Sequence, residues 1–362
     1  MTIRYVTIIG LGLMGGSLAM ALRRHFPHIH LTAIDRNEVL QAALTQDIID
    51  RGFEHPSDEA LKQADLVVLA TPVQTIPPLL ETIAPHLQPG TRVTDVGSVK
   101  APIVEHAQRV LPPDVHFLGG HPMTGKEQGG FQHADPLLYE NALYILTPTR
   151  RLTPEWEPVF QLLEGIGARL FLIDPQTHDR LAAKISHTPQ LTAIALVRLL
   201  RDLEPAYLQL GAGGFRDMTR IASSPFTPWK DILQMNRKAI LDALTSLIEE
   251  LDTYRQAVAE ERWEEIEQAF TEAAALRNQV PQDMKGFLHP LAEVFLFAED
   301  RPGFLHEITG ILAEAGLNIK DIELLKIREG LGGTFRLAFA TPEEAQEAIR
   351  KLRQAGYHAH EA

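Results

Sequence analysis

The chain has 362 residues, which is long enough for two or three domains. It carries 34 Lys and Arg against 47 Asp and Glu, and the formal net charge of -13 argues against a general binder of nucleic acids or anionic membranes. The absence of cysteine excludes disulfides, thiolate zinc sites and iron–sulfur clusters. Because we find no signal-peptide pattern and no apolar stretch of membrane-spanning length, we expect a cytoplasmic protein.

Short apolar runs alternate with helical patterns over residues 1–174. Such runs suit strands buried on both faces, and the alternation predicts an α/β domain with a Rossmann-like, doubly wound, mostly parallel sheet. The predicted strands are Tyr5–Ile9, Ile29–Ile34, Asp65–Ala70, Arg92–Asp95, Val115–Leu118, Leu143–Leu146 and Arg169–Ile173. The predicted helices are Ser17–Arg24, Ile76–Ala84, Ile103–Val110 and Trp156–Ile166.

A glycine pattern follows the first predicted strand. Gly10, Gly12 and Gly15 match the dinucleotide-binding fingerprint, with Leu13 and Met14 between the last two. The first glycine permits a tight turn, the second lets the backbone approach a pyrophosphate, and the third lets helix and strand pack closely. The N-terminus of the following helix offers N–H groups to phosphate oxygens. The pattern therefore predicts a site for a dinucleotide cofactor.

Asp35 ends the second predicted strand, about 20 residues after the last of these glycines. A carboxylate there binds the ribose hydroxyls and repels a 2′-phosphate, which favours NAD over NADP. Two alternatives remain. Arg36 can neutralise such a phosphate and so permit NADP, and Asp35 can be an ordinary charge at the end of a strand. Thr71 and Pro72 follow the third strand at the same edge, where they either lie near the nicotinamide or only terminate the strand.

Two candidates for chemistry follow later strands. Ser98 lies in Asp95–Lys100, and His121 lies in the predicted loop Gly119–Gly125. Imidazole accepts a proton near neutral pH, as the removal of hydride from an alcohol-bearing carbon requires. His121 is therefore a candidate base, although a loop histidine is often simply solvated.

The character of the sequence changes after Asp174 and Pro175. Periodic segments without a convincing strand predict a helical domain over residues 175–280. The predicted helices are His178–Ala183, Gln190–Leu203, Pro228–Glu250 and Leu251–Ala275. Their apolar faces exceed what one layer of helices buries, which favours a homodimer over a self-contained bundle.

Residues 281–290 are predicted to be a linker to a third domain, residues 291–362. Its predicted elements are strand Leu291–Ala298, helix Phe304–Ala315, strand Ile319–Ile327, strand Thr334–Ala340, helix Pro342–Ala355 and strand Tyr357–Ala359. This βαββαβ order predicts a ferredoxin-like α+β fold.

Several motifs in combination resemble the prephenate dehydrogenase family over about residues 1–280. They are Gly10–Ser17, Asp95–Lys100, Gly119–Gly125 with Glu127, His178 and Asp179, Ser186–Pro189, Gly213–Ala222 and Trp229. The tail resembles an ACT domain, a small-molecule regulatory module, through Asp300–Gly303 and Leu317–Ile319. The resemblance implies an NAD-dependent enzyme of tyrosine biosynthesis that converts prephenate to 4-hydroxyphenylpyruvate and CO₂ without a metal or a second cofactor.

The resemblance also implies roles for individual residues. His121 accepts the proton of the substrate hydroxyl, and Ser98 orients His121 or that hydroxyl. Arg220 binds a substrate carboxylate through two parallel hydrogen bonds. Arg216 lies four residues earlier, on the same face if the segment is helical, and is a second candidate for substrate binding.

Three more positions are candidates for the substrate pocket. His187 contacts the substrate or holds its helix in place, and Glu127 contacts the substrate side chain or bridges to a neighbour. Many relatives place a second histidine where this chain has Gln190, which is uncharged and does not titrate. This departure leaves arogenate, whose side chain bears an ammonium group, as an alternative substrate.

The resemblance of the tail implies an amino-acid site at Asp300, Gly303 and Asn318, with tyrosine as the expected feedback inhibitor. The alternative is a dimerisation module that binds no ligand. Two other functions remain open for the whole chain. One is a different dehydrogenase with Lys184 as its catalytic lysine, which leaves Ser98, His121 and Arg220 unexplained, and the other is a non-enzymatic regulator that senses NAD and an amino acid.

Overall fold

The computed structural model describes residues 3–126, 128–149, 152–280, 291–299, 301–328 and 332–361. The chain divides into two compact units, residues 1–268 and 269–362. The predicted linker, residues 281–290, lies outside the described residues. The domain boundaries proposed from the sequence remain predictions.

An eight-stranded sheet dominates the first unit, in the order β3-β2-β1-β4-β5-β6-β7-β8. Its strands are β1 Tyr5–Ile9, β2 His30–Ile34, β3 Arg51–Phe53, β4 Leu66–Leu69, β5 Arg92–Asp95, β6 His116–Pro122, β7 Leu143–Thr147 and β8 Arg169–Leu172. Strand β7 runs antiparallel to β6, whereas the other neighbouring strands are parallel. The doubly wound, mostly parallel sheet is therefore confirmed. The sequence prediction missed β3, which has three residues and no apolar run.

Helices cover both faces of this sheet. They are α1 Leu13–His25, α2 Asn37–Thr45, α3 Asp58–Leu61, α4 Ile76–Ile83, α5 Ala101–Val110 and α6 Glu157–Gly165. Leu18 and Leu22 of α1 join one apolar core, and Ile76 and Ile103 join the core on the opposite face. The strand order reverses between β1 and β4, and ligands bind at the carboxyl ends of strands beside such a switch point.

Helices follow the sheet as predicted, with shifted boundaries. They are α7 Pro175–Ala182, α8 Thr188–Arg198, α9 Gly213–Thr219, α10 Phe226–Met235, α11 Arg237–Ala259 and α12 Trp263–Arg277. The predicted break between residues 250 and 251 is wrong, because α11 runs through it and ends near Glu261, whose φ is 55°. Within the described ranges, no helix combines the length and the apolar character needed to cross a bilayer.

The tail forms a four-stranded antiparallel sheet with the order β10-β11-β9-β12. Its elements are β9 Ala292–Ala298, α13 Phe304–Glu314, β10 Asp321–Arg328, β11 Gly332–Phe339, α14 Pro342–Gln354 and β12 Ala359–Glu361. Leu296, Leu337 and Phe339 of the sheet pack with Ile308 and Leu352 of the helices. The βαββαβ prediction is confirmed.

Candidate active site

The glycine loop between β1 and α1 has the geometry of a dinucleotide cradle. Gly10 has a φ of +96°, a backbone conformation that other residues rarely adopt. A Cβ on Gly15 would lie 1.9 Å from the carbonyl oxygen of Gly10, so strand and helix pack in direct contact there. Gly12 precedes α1, and a Cβ on it would meet nothing within 4 Å. The loop is therefore open to a phosphate at the helix N-terminus, as NAD requires.

Asp35 follows β2 and is fixed by the backbone of two loops. Its Oδ2 accepts a hydrogen bond of 2.6 Å from the N–H of Leu11, and its Oδ1 accepts one of 2.7 Å from the N–H of Arg36. The Arg36 side chain is 82% exposed and approaches Asp35 only to 3.9 Å. The carboxylate, rather than the guanidinium, is therefore the fixed group at the end of β2, which suits the ribose hydroxyls of NAD.

The remaining cofactor candidates surround this loop. Thr71 follows β4, and its Cγ2 would lie 3.0 Å from a Cβ on Gly10. Pro72 is exposed beside it. Leu13 and Met14 are partly exposed in the first turn of α1. All four positions therefore lie at the carboxyl edge of β1 and β4.

His121 lies in a strand, so the predicted loop is wrong for Gly119–Pro122 and holds only for Met123–Gly125. Strand β6 continues to Pro122, and His121 pairs with Ile145 of β7. The glycines before His121 do not form a turn. Instead, they let the strand pass close to β5, since a Cβ on Gly120 would lie 2.5 Å from the carbonyl oxygen of Asp95.

A chain of hydrogen bonds leads from His121 to a buried carboxylate. His121 Nδ1 lies 2.8 Å from Nε2 of His178, and Nδ1 of His178 lies 2.8 Å from Oδ1 of Asp179. The Asp179 carboxylate also accepts the N–H groups of Lys100 (2.8 Å) and Ala101 (2.9 Å), at the start of α5. It therefore satisfies a helix N-terminus and orients His178 at the same time.

These bonds select one tautomer for each histidine. An ionised carboxylate only accepts, so His178 donates from Nδ1 to Asp179 and presents Nε2 as an acceptor. His121 then donates from Nδ1 to His178, which leaves Nε2 of His121 without a proton. The arrangement can accept a proton at Nε2 of His121 and place the resulting charge next to His178 and Asp179.

Burial sets the ionisation of two histidines in this cluster. It lowers the pKa of His121 well below the usual value, and the nearby His178, Lys100 and His187 lower it further. Burial also lowers the pKa of His187 to about 4. Both imidazoles are therefore neutral at pH 7, so Nε2 of His121 is unprotonated before the reaction.

His187 is buried in the same cluster. A π-helical segment, Ala183–His187, joins α7 to α8 and shifts the helix phase between His178 and His187. The amide Nδ2 of Asn236 lies 3.2 Å from Nδ1 of His187, and the Trp229 ring lies edge-on at 6.0 Å. Because the amide donates to Nδ1, Nε2 of His187 carries the proton and is a donor.

Gln190 contacts the protein backbone. It is buried, and its Nε2 donates a hydrogen bond of 2.9 Å to the carbonyl oxygen of Ile221. This bond ties α8 to a 3₁₀ turn that begins at Arg220. Because α9 ends at Thr219, Arg220 does not continue the helix of Arg216. Both arginines are exposed in this chain.

Ser98 lies in the segment that joins β5 to α5 and is partly exposed. Lys100 in this segment donates a hydrogen bond of 2.6 Å from Nζ to the carbonyl oxygen of Gly120. This contact brings the segment of Ser98 against the residue that precedes His121. Glu127, the last of the substrate candidates, lies outside the described residues.

Comparison with known proteins identifies the family. The family models described as prephenate dehydrogenase, nucleotide-binding domain, and prephenate dehydrogenase, dimerization domain, match residues 18–172 and 174–272, and an ACT domain matches residues 292–356. Prephenate dehydrogenase of Bacillus subtilis (strain 168) is 36% identical over 95% of this chain and 94% of its own length. The chain belongs to the prephenate dehydrogenase family. It is an NAD-dependent dehydrogenase with a Rossmann-like nucleotide-binding domain.

Solved structures of this family have the same fold. Prephenate dehydrogenase of Aquifex aeolicus, in complex with hydroxyphenyl propionate and NAD⁺, is 30% identical with a TM-score of 0.71, covering 78% of this chain and 99% of its own. Synechocystis arogenate dehydrogenase is 30% identical with a TM-score of 0.69, covering 76% and 100%. These similarities confirm the enzyme interpretation and leave the non-enzymatic regulator without support. Lys184 is exposed in the π-helical segment.

The sequence interpretation gave no role to four buried residues of this site. They are Asp95, Lys100, His178 and Asp179. His178 and Asp179 belonged to a quoted motif, and Asp95 and Lys100 flank Ser98. Charged residues at the ends of apolar runs could have indicated buried, paired charges at the site, because ionised groups are rarely buried without a partner.

The tail has the predicted turn before α13. Gly303 has a φ of +88°, which favours glycine, and Asn318 lies between α13 and β10. Arg301 makes a bidentate ion pair with Glu307 at 2.7 and 2.6 Å, and Glu307 also accepts a hydrogen bond of 2.7 Å from the Tyr357 hydroxyl. Asp300 lies outside the described residues. The turn is thus fixed to the end of the tail by polar contacts.

Proposed function

We propose that this chain catalyses the oxidative decarboxylation of prephenate to 4-hydroxyphenylpyruvate. The observation that carries the proposal is the Asp179–His178–His121 chain of hydrogen bonds, which leaves Nε2 of His121 as an acceptor for a hydroxyl proton. The similarity to prephenate dehydrogenase of Bacillus subtilis over nearly the whole chain supports the choice of substrate.

The fit of the glycine loop and Asp35 to NAD supplies the redox partner. When bound, NAD⁺ accepts a hydride from C4 of the substrate. His121 takes the proton of the C4 hydroxyl, and the Nδ1–H of the imidazolium that forms stays bonded to His178, which in turn bonds to Asp179. Ser98 orients His121 or the hydroxyl. Loss of the ring carboxylate as CO₂ then restores aromaticity.

The proton balance agrees with this buried arrangement. Prephenate loses a hydride and CO₂, and the product keeps a phenolic proton, so the reaction releases no proton to the solvent. His121 therefore holds the hydroxyl proton during hydride loss and returns it to the phenolate oxygen. Asp179 ends the chain inside the protein, where its other partners are the N–H groups of Lys100 and Ala101.

The two carboxylates of prephenate also need hydrogen-bond donors from the protein. We assign Arg220 to one carboxylate, with Arg216 as a second cation. His187, whose Nε2 carries the proton, is a further donor for the substrate. Gln190 supports this side through its bond to Ile221. We assign Glu127 to a contact with the substrate side chain.

Steady-state assays with prephenate and NAD⁺ test the proposal. We expect NADH, 4-hydroxyphenylpyruvate and CO₂ in equal amounts, and no change in rate when a chelator is added. Arogenate and NADP⁺ are measured in parallel. No NADH from prephenate with either nucleotide would remove the proposed function.

Arogenate is the second candidate substrate. Two observations favour it: the 30% identity to Synechocystis arogenate dehydrogenase and the neutral Gln190. It would yield tyrosine directly by the same hydride and CO₂ losses. The ratio of kcat/KM for the two substrates decides between them.

We also propose that the chain forms a homodimer through its helices. Leu199, Leu210 and Phe226 are 75%, 76% and 67% exposed, and the matching family domain is described as a dimerization domain. Burial of such apolar area favours association. Light scattering after gel filtration should give twice the mass of 40.3 kDa. A monomer at micromolar concentration would contradict this.

We propose tyrosine as the feedback inhibitor, bound by the tail at the turn with Asp300 and Gly303 and at Asn318. The match to an ACT domain and the conformation of Gly303 support this site. Equilibrium dialysis of the full chain with tyrosine tests it, with Gly303→Val as the variant. Unchanged binding by the variant would move the tyrosine site elsewhere.

A further inference from the structure

The residue before the base, Gly120, has both its backbone N–H and its carbonyl oxygen bonded to a buried ion pair. The side chains of Asp95 and Lys100 are both fully buried and bond to one another. Lys100 Nζ donates to the carbonyl oxygen of Gly120 at 2.6 Å, and Asp95 Oδ1 accepts the N–H of Gly120 at 3.1 Å. Asp95 Oδ2 also accepts the N–H of Gly97 at 2.9 Å.

The two glycines before His121 fit this pair. A Cβ on Gly119 would lie 3.3 Å from Cδ of Lys100 and 2.4 Å from Oγ1 of Thr147. A Cβ on Gly120 would lie 2.5 Å from the carbonyl oxygen of Asp95. The strand therefore rests directly on the segment from Asp95 to Lys100. No side chain fits between the two.

The energetics of such a pair point to a role beyond stability. Burying two charges carries a desolvation penalty that their attraction often does not exceed, and apolar replacements of a buried pair are frequently neutral or stabilising. A core position beneath β6 could therefore be filled by apolar side chains. Apolar side chains would lack the donor for the Gly120 carbonyl oxygen and the acceptor for the Gly120 N–H.

We propose that Asp95 and Lys100 are a positioning pair. They fix the position and orientation of the His121 imidazole relative to Ser98. Asp95 and Lys100 lie at the two ends of the segment that carries Ser98. Both form hydrogen bonds with the backbone of Gly120, the residue before His121. They act through Gly120 and touch neither substrate nor cofactor. This inference rests on the proposed function, in which His121 is the base.

A double variant separates positioning from stability. Lys100→Met alone leaves Asp95 charged and unpaired, so the unfolding midpoint and kcat should both fall. Adding Asp95→Asn removes the second charge, and the unfolding midpoint should return to that of the wild type. The carbonyl oxygen of Gly120 still lacks its donor, so kcat with prephenate should stay at least tenfold low, since small misplacements of reacting groups cost about 10²-fold. KM for prephenate and Kd for NAD⁺ should stay within threefold.

Wild-type turnover of prephenate is measured first, and its absence counts against the proposed function alone. Wild-type turnover with full kcat in the double variant overturns the positioning role. Gly120→Ala provides an independent test, because it keeps the pair and pushes the strand away from Asp95. Its kcat should fall at least tenfold, whereas Gly310→Ala, which adds the same methyl group in open space on α13, should not change kcat. Full kcat in Gly120→Ala also overturns the positioning role.

Discussion

Replacing His178 by phenylalanine probes the hydrogen-bond chain without disturbing the base itself. In His178→Phe the phenyl ring fills similar space edge-on to His121, where the two imidazole rings now lie 5.1 Å apart. The phenyl ring offers no acceptor to Nδ1 of His121, so Nε2 of His121 is no longer held free of its proton. Asp179 keeps its bonds to the start of α5, so the fold should persist.

The lost interaction sets the size of the effect. As His121 gains charge, its bond to Nε2 of His178 becomes charge-assisted, and such bonds contribute about 1.5–3 kcal/mol. With one factor of ten for each 1.36 kcal/mol, kcat should fall about 10- to 150-fold. KM for prephenate should change little, because the bond strengthens only when His121 is protonated.

His178→Gln is the matched control, since the Gln carbonyl can accept from Nδ1 of His121 at nearly the same place. Steady-state rates of NADH formation should recover at least partly in this variant. Equal loss of kcat in both variants, or a loss confined to KM, would refute the proposed orientation of His121.

Three further predictions concern the cofactor loop and acid stability. Gly12→Ala should weaken NAD⁺ binding and leave the unfolding midpoint unchanged. Gly15→Ala should lower both the affinity for NAD⁺ and the unfolding midpoint, because its Cβ would lie 1.9 Å from the carbonyl oxygen of Gly10. Fluorescence titration and thermal unfolding check this, and equal behaviour of the two variants contradicts it. Asp35→Asn should raise KM for NAD⁺ about 10- to 150-fold, since a bond to a charged acceptor contributes about 1.5–3 kcal/mol. An effect below threefold would count against its ribose role. The pKa of His187 is about 4 when folded, so unfolded chains bind its proton first as the pH falls below about 6.5. Wild-type stability should therefore drop about 2 kcal/mol more than that of His187→Gln between pH 7 and 5, measured by urea unfolding, and parallel curves would contradict this.

Local pattern was sufficient for the fold and the cofactor loop. A buried strand such as β4 is a continuous apolar run, and the glycine spacing is typical of a dinucleotide-binding turn. Strand β3 escaped prediction because it gains its stability from pairing with β2 rather than from its own composition. Tertiary pairing likewise extends β6 past two glycines that suggested a loop.

The site was predictable only in part, because its partners come from distant positions in the chain. His121 and Ser98 were recognised, but His178 reaches His121 across 57 positions. Lys100 and Asp179, 79 positions apart, meet at the start of α5. The bond of Gln190 to Ile221 is also invisible without the packing of α8 on the 3₁₀ turn. Such contacts depend on topology, and sequence spacing does not encode them.

The central claim is that His121 is the base, and kcat of His121→Asn at saturating prephenate and NAD⁺ tests it most directly. Asparagine preserves polarity at this place in β6 but cannot accept and hold a proton near neutral pH. We expect kcat to fall by about 10²–10⁴-fold, with Kd for NAD⁺ unchanged because the glycine loop lies between β1 and α1, whereas His121 lies on β6. A fall confined to KM, with kcat at the wild-type value, would contradict the account.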